Sequence, residues 1–407
     1  MFIDKGPLEI NIGDNKESYI DDASTWLLES IHSQKPVNGL THKFYRYPAR
    51  FSPEFARSII QKFSSPGDTI LDPFMGGGTT VIEGVTLGRR IIGIDLNSLA
   101  VFIARVKSTP LSPSEIDVIR NMMRRYNKHP FIRKGAGIEL KPLFKNVPWW
   151  IRNCILAILH DVMKIRNRRV RDFLRCGLLK TAQWALDCRE IIPSSQQFFY
   201  AFSSNINEMC NQMEEYRTTL HHAGFQLEDH ISKYRRLLLR SAMAADQDRR
   251  IPIDWLPIKL VVTSPPYPGV HVLYHRWQIQ GRKETPAPFA ILNSLNGHPE
   301  SYYTFGDRHH VQPYFKTLTA VYRSIRNLLS PSSLVVQLIS FNNPKRDISR
   351  FLYAMEDAGF EECSLKDIGL GTVKRIWRKV PNRRWYAGYK INSSGKELLL
   401  FHRAKST

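Results

Sequence analysis

Cysteines are scarce in this sequence. Its five, Cys154, Cys176, Cys188, Cys210 and Cys363, are odd in number, lie far apart and include no C-x-x-C pair. That excludes a disulfide framework and argues against a bound metal, as expected of reduced thiols in a cytoplasmic protein. Long apolar runs are missing as well. Nowhere does a stretch reach the roughly eighteen residues of a membrane span, and the start, Met1-Phe2-Ile3-Asp4-Lys5-Gly6-Pro7, has no apolar core of signal-peptide length. A soluble, unexported protein with no membrane partner is therefore expected. Internal repeats and low-complexity stretches are absent too. Acidic residues are in short supply: 37 Asp+Glu stand against 58 Lys+Arg, a net charge of +21. Such an imbalance suits a polyanion, because neutralising phosphates releases condensed counterions.

The 407 residues suffice for one large α/β domain with an insert, and a core of that size needs no disulfides. Thr69 to Asp72, Ile91 to Asp95, Leu260 to Thr263 and Leu334 to Ile339 are short apolar runs bounded by turn residues, as buried parallel strands should be. Thr79 to Leu87 and Tyr314 to Leu329 carry apolar residues at helical spacing. This alternation predicts an α/β doubly wound sheet. It breaks between about 110 and 240, where Trp149, Ile151, Ile155, Ile158, Leu159 and Val162, and later Tyr234, Leu237 and Leu238, predict helices. Within that stretch, residues 111–180 hold 16 Lys+Arg against 5 Asp+Glu, with a cluster at Lys164, Arg166, Arg168, Arg169 and Arg171. A terminal antiparallel hairpin is expected from Arg384 to Lys390 and Glu397 to Phe401, around Asn392-Ser393-Ser394-Gly395.

Two motifs carry the chemistry. Asp72-Pro73-Phe74-Met75-Gly76-Gly77-Gly78-Thr79-Thr80 follows a strand and opens a helix, and its glycines let the backbone approach a ligand where a Cβ would collide with it. A dinucleotide fingerprint needs glycine where Val81 stands, and a phosphate loop needs a lysine that does not follow Gly78. Some twenty residues on, Gly93-Ile94-Asp95-Leu96-Asn97 ends a second strand. There Asp95 can accept both hydroxyls of a ribose, or Asp95 or Asn97 can cap a helix. The second motif, Thr263-Ser264-Pro265-Pro266-Tyr267, ends another strand in a turn that two prolines stiffen and strip of N–H donors, so it offers oxygens.

Together the motifs resemble those of the DNA amino methyltransferases, in the order cofactor first and catalytic second, over roughly 41–108 and 241–402. The resemblance implies a Rossmann-like methyltransferase sheet with a terminal antiparallel hairpin and a helical insert. It implies a cofactor part at 1–109, a basic insert for target recognition at 110–240 and a catalytic part at 241–407. S-adenosyl-L-methionine is the implied cofactor, with Asp72, Pro73, Gly76, Gly78, Thr79 and Thr80 at its methionine end, Phe74 near its adenosine, and Asp95 and Asn97 at its ribose. His42 to Glu54, with Tyr47, Pro48, Ala49, Arg50 and Phe51, completes the methionine pocket and suits a lid over it, although Ser52 reads equally as a helix cap. Asp246 or Asp248 is implied at the adenine ring.

In the family pattern Ser264 Oγ and the Pro265 carbonyl accept the two protons of a base amine, with Pro266 stiffening the turn and Tyr267 stacked on the extruded base. Serine at the first position implies cytosine N4 as the methylated atom. Adenine N6 stays open, as do an RNA substrate and a silent nucleic-acid-binding relative. Double-stranded DNA is the implied partner, with cognate restriction or defence proteins. His271 and His275 share a helix face but lack the glutamate and third ligand of a zinc site; with Arg276, Trp277, Arg282 and Lys283 they are expected beside the nucleic acid.

Overall fold

The computed structural model describes residues 22–33, 37–48, 52–128, 143–225, 231–268, 276–281, 283–292, 311–341, 343–370, 375–379 and 396–405. The four apolar runs form β1 (Thr69–Asp72), β2 (Arg90–Asp95), β4 (Ile258–Thr263) and β7 (Leu329–Ile339). With β3 (Arg235–Leu239), they lie parallel in the order β3-β2-β1-β4-β7. The sheet continues through β10 (Lys396–Ala404) to β8 (Phe360–Glu362), and β9 (Ile376–Lys379) also pairs with β10, all antiparallel to it. A separate antiparallel pair joins β5 (Trp277–Ile279) to β6 (Lys283–Thr285).

Side chains alternate across a strand, and here both faces are covered. Ile70, Leu260, Val262, Val336, Leu399 and Phe401 enter one core; Leu71, Val261, Val335, Leu398 and Leu400 enter the other. The first face carries α1 (Asp22–His32), α2 (Pro53–Phe63), α3 (Thr79–Thr86) and α4 (Ser98–Lys107). The same layer holds α5 (Pro113–Lys128), α6 (Trp149–Met163), α7 (Arg168–Leu186), α8 (Ser195–His222) and the short α9 (Ala287–Leu292). The second face is covered by α10 (Val311–Arg326) and α11 (Pro344–Asp357). The fold is the doubly wound α/β sheet that the pattern predicts. Among the described residues no helix is long and apolar enough to cross a membrane.

The insert is not a detached module. Residues of α5 to α8 join the core of the sheet's first face, and Gly177 of α7 lies against Ile206 of α8, where a Cβ would force the isoleucine side chain to shift. The helical reading of Tyr234, Leu237 and Leu238 is corrected: Arg235–Leu239 is β3, with Leu237 and Leu238 opposite Gly93 and Ile94 of β2. Five residues are too few for a helix to bury, whereas the open edge of β2 supplies a ladder, so strand pairing wins over apolar spacing. Of the expected terminal hairpin, Glu397 to Phe401 lies within β10, and Arg384 to Lys390 falls outside the described residues.

Much of the insert's positive charge is paired internally. Arg169 binds Glu115 at 2.9 Å, Arg175 and Arg168 both approach Asp172, Arg120 binds Glu214 at 2.7 Å, and Arg171 donates to the Ile165 carbonyl. Arg166 is exposed.

Candidate active site

Winding reverses between β1 and β4, since the chain moves to β2 and β3 on one side of β1 and to β7 on the other. Strand ends at such a reversal leave an open crevice, because neighbouring crossovers depart to opposite faces. Asp72 ends β1 and Thr263 ends β4, so motifs 191 positions apart meet there. Thr263 Oγ1 donates to Asp72 Oδ1 and Thr80 Oγ1 to Oδ2, each at 2.8 Å, and the Phe74 N–H adds a third bond at 3.2 Å. Pro73 and Thr79 are buried beside them, and Phe74 is half-buried. Burial pushes the Asp72 carboxyl up to about 6 despite those bonds.

Asp95 ends β2. Its Oδ2 accepts the Gly76 N–H at 2.9 Å and its Oδ1 the Asn97 N–H at 2.7 Å, and burial raises it to about 6 as well. The helix cap is Asn97, whose Oδ1 accepts the Leu99 N–H at 2.9 Å, while its amide donates to the Tyr47 hydroxyl at 3.0 Å. Neither carboxylate has a lysine, arginine or histidine partner among the described residues. The buried Asp72 and half-buried Asp95, both satisfied by neutral donors, suit a ligand that brings a cation and hydroxyls.

The glycine loop also needs its glycines for a reason internal to the protein. Gly76 and Gly78 sit at φ +47° and +77°. A Cβ on Gly77 would lie 2.9 Å from Tyr47 Cβ, and one on Gly78 2.8 Å from Ala104 Cβ. The crowding comes from the protein's own side chains.

Residues 45 and 46 are tied to the glycine loop, to α7 and to Trp277. Lys107, 1% exposed, donates to the carbonyls of Tyr45 and Gly77 at 3.2 and 3.3 Å, tying this segment to the glycine loop. Gln183 of α7 pairs with both backbone groups of Arg46, and Trp277 Nε1 donates to the Tyr45 hydroxyl at 3.0 Å. Tyr47 is buried and Pro48 half-buried; Ala49, Arg50 and Phe51 fall outside the described residues. Ser52 caps α2, accepting the Phe55 N–H at 3.2 Å with Pro53 in the first turn.

In the Ser-Pro-Pro-Tyr turn Ser264 and Pro266 are half-buried and Pro265 and Tyr267 buried. The Tyr267 hydroxyl donates to Glu397 Oε1, and Ser264 Oγ donates to the Tyr267 oxygen at 3.3 Å. Glu397 Oε2 takes two bonds from Arg378, Nε at 2.8 Å and Nη2 at 2.7 Å. Tyr267, expected to stack on an extruded base, is 9% exposed and packs within the core of the second face.

Other expectations are corrected. Asp246 accepts from Ser324 and Asn327, and Asp248 is ion-paired to Arg240 and Arg250, which hold it well below the usual carboxylate range. Both carboxylates thus anchor the turn after β3. Trp277 is 2% exposed and so is not presented to a nucleic acid; Arg276, half-buried, pairs with Glu284 at 3.1 Å, Lys283 is exposed, and His271, His275 and Arg282 fall outside the described residues. Sequence reasoning missed Lys107, Gln183, Arg378 and Glu397. Only Glu397, an acid directly before the apolar run Leu398 to Phe401, left a signal.

The two carboxyls make ligand binding pH-dependent. Their folded-state values lie above the ordinary 3.8, so the folded protein keeps protons that the unfolded chain has lost. That contribution to stability is present below the ordinary value and is lost as the pH rises through about 6. A cationic ligand prefers the ionised carboxylates. Its affinity is expected to strengthen as the pH rises through about 6, with protons released from the site on binding below that value, measurable as buffer-dependent heat in calorimetry. Affinity that is flat across this range would show that no cationic group sits against Asp72 or Asp95.

The fold is a doubly wound α/β sheet in which the two strand-end motifs meet at the switch point. A family model described as DNA methylase matches residues 9–105. The Type II methyltransferase M.MvaI of Kocuria varians is 28% identical over 147 residues, 33% of this chain and 31% of that one. M.MthZI of Methanothermobacter thermautotrophicus, also a Type II methyltransferase, is 39% identical over 102 residues, 24% of this chain and 27% of that one. The DNA adenine methyltransferase YhdJ of Escherichia coli (strain K12) is 37% identical over 62 residues, 15% of this chain and 21% of that one. The family match lies in the part of the chain that carries the glycine-rich motif, and each of these matches takes in a third of the chain or less. The chain spans less than a third of the length of each of these relatives.

Proposed function

We propose that the protein is a site-specific DNA methyltransferase that transfers a methyl group from S-adenosyl-L-methionine to the exocyclic N4 of an extruded cytosine in double-stranded DNA. A Type II restriction-modification or phage-defence setting is part of this reading, since two of the relatives named above are Type II methyltransferases. The observation that carries it is the hydrogen bond from Thr263 to Asp72, which sets the half-buried Ser264 beside the carboxylate of the other motif at the sheet's switch point.

The residues present fit the cofactor. Asp72 is buried and Asp95 half-buried, both lack cationic partners among the described residues, and they suit an ammonium and a ribose. When bound, S-adenosyl-L-methionine supplies a methyl group activated by its positive sulfur. The chain's own residues then handle the base. A cytosine amine is a weak nucleophile because its lone pair is spread into the ring. Ser264 Oγ and the Pro265 carbonyl, by accepting its two protons, favour the pyramidal nitrogen whose lone pair can attack. Extruding the base costs a few kcal/mol, which the pocket must offset.

The test is incubation with labelled cofactor and DNA, digestion to nucleosides and mass spectrometry. N4-methylcytosine is expected. N6-methyladenine alone would move the target to adenine, the base named for the Escherichia coli relative, and no transfer to either base would overturn the reading.

DNA binding through the insert is part of the same reading, with a narrower set of candidates than its charge suggests. Arg166→Ala is expected to make the salt dependence of DNA binding shallower by roughly one unit of slope for each phosphate it no longer neutralises. Arg169→Ala is expected instead to lower thermal stability by freeing Glu115, with the slope unchanged. Salt titrations of DNA affinity separate the two, and an unmoved slope in Arg166→Ala would take that residue out of the interface.

A further inference from the structure

We propose that Arg378, Glu397 and Tyr267 act as positioning residues that set the hydrogen-bond polarity of Ser264, forcing its oxygen to face the substrate as an acceptor. The inference rests on the methyltransferase reading of the site. A serine hydroxyl can donate as well as accept, and it turns to suit its surroundings. A target amine offers two protons, so a serine that donated toward it would oppose the reaction. Something has to occupy the serine's own proton.

The chain of bonds behind the catalytic turn does this, and its direction is dictated by its far end. A guanidinium only donates, and Arg378, 4% exposed with its Cζ 5.4 Å from the centre of the Phe55 ring, spends Nε and Nη2 on Glu397 Oε2. An ionised carboxylate only accepts, so Glu397, 5% exposed, must receive a proton at Oε1, and the group there is the Tyr267 hydroxyl. Tyr267 has one proton and has given it away. Toward Ser264 Oγ, 3.3 Å off, its oxygen therefore accepts, and the serine donates. The remaining lone pairs of Ser264 are left for the crevice. Burial of the Arg378–Glu397 pair keeps water from competing, and β9 and β10, which carry these residues, are paired in register, Arg378 opposite Glu397.

Glu397→Gln breaks the polarity with little change of shape, because an amide can donate to Tyr267 as readily as accept from it. The variant is expected to slow single-turnover methyl transfer about tenfold while cofactor and DNA affinities hold. In a Ser264→Ala background the same substitution is expected to change nothing further, since Glu397 acts only through that hydroxyl. If glutamine beside the buried Arg378 prevents folding, Tyr267→Phe keeps the ring and removes the relay, and the same pair of comparisons decides. Transfer at the wild-type rate in these variants, or losses that multiply with that of Ser264→Ala, overturns the proposal and leaves the methyltransferase reading standing. A wild-type protein that methylates no base overturns both.

Discussion

Ser264→Ala is expected to bind S-adenosyl-L-methionine and DNA nearly as the wild type does and to transfer methyl on the order of a hundredfold more slowly. An acceptor used mainly as the amine pyramidalises stabilises the transition state more than the bound substrate, so its loss is read in the rate and hardly in affinity. The substitution is small and the position only half-buried, so the fold has no cavity to repair. Single-turnover kinetics at saturating cofactor and DNA measure the chemical step directly. A Ser264→Ala protein with the wild-type rate would remove the serine from the reaction and take the polarity argument with it.

Asp72→Ala is expected to lose cofactor affinity by about tenfold to a hundredfold and also to destabilise the fold, by about 1–3 kcal/mol. Two losses coincide there. The carboxylate facing the cationic end of the cofactor is gone, and the hydroxyls of Thr80 and Thr263 and the N–H of Phe74 lose their common acceptor. Asp95→Ala differs in kind: it frees the N–H of Gly76 and Asn97 and loosens the glycine loop, with weaker hold on the ribose. Calorimetry of cofactor binding, with thermal melts to check folding, distinguishes them. Unchanged affinity in a folded Asp72→Ala protein would remove the aspartate from the cofactor site.

The parts of the site legible in the sequence are those whose chemistry is local. Ser52 before Pro53, and Asn97 before an apolar helix, announce caps because a side-chain oxygen three or fewer residues away meets the free N–H groups of a first turn. The runs at Thr69, Ile91, Leu260 and Leu334 read as strands because burial on both faces demands unbroken apolar sequence. Lys107 was not legible, since its spacing on α4 is that of any helix residue; its role is set by the carbonyls of Tyr45 and Gly77. Arg378 reads alone as one more surface cation in a basic chain, until β9 and β10 pair.

By itself the sequence determined the alternating α/β order, the strand-ending motifs and their carboxylate, hydroxyl and proline chemistry, because each depends on neighbours within a few residues. Only the tertiary structure decided that Asp72 and Thr263 share a hydrogen bond, that Arg235–Leu239 joins the sheet, that most named arginines of the insert are paired with acids or carbonyls, and that Glu397 stands behind Tyr267. Those pairings lie scores of residues apart along the chain. Composition counts such charges but cannot pair them, and strand order and register, which bring the partners within hydrogen-bonding reach, are properties of the whole sheet.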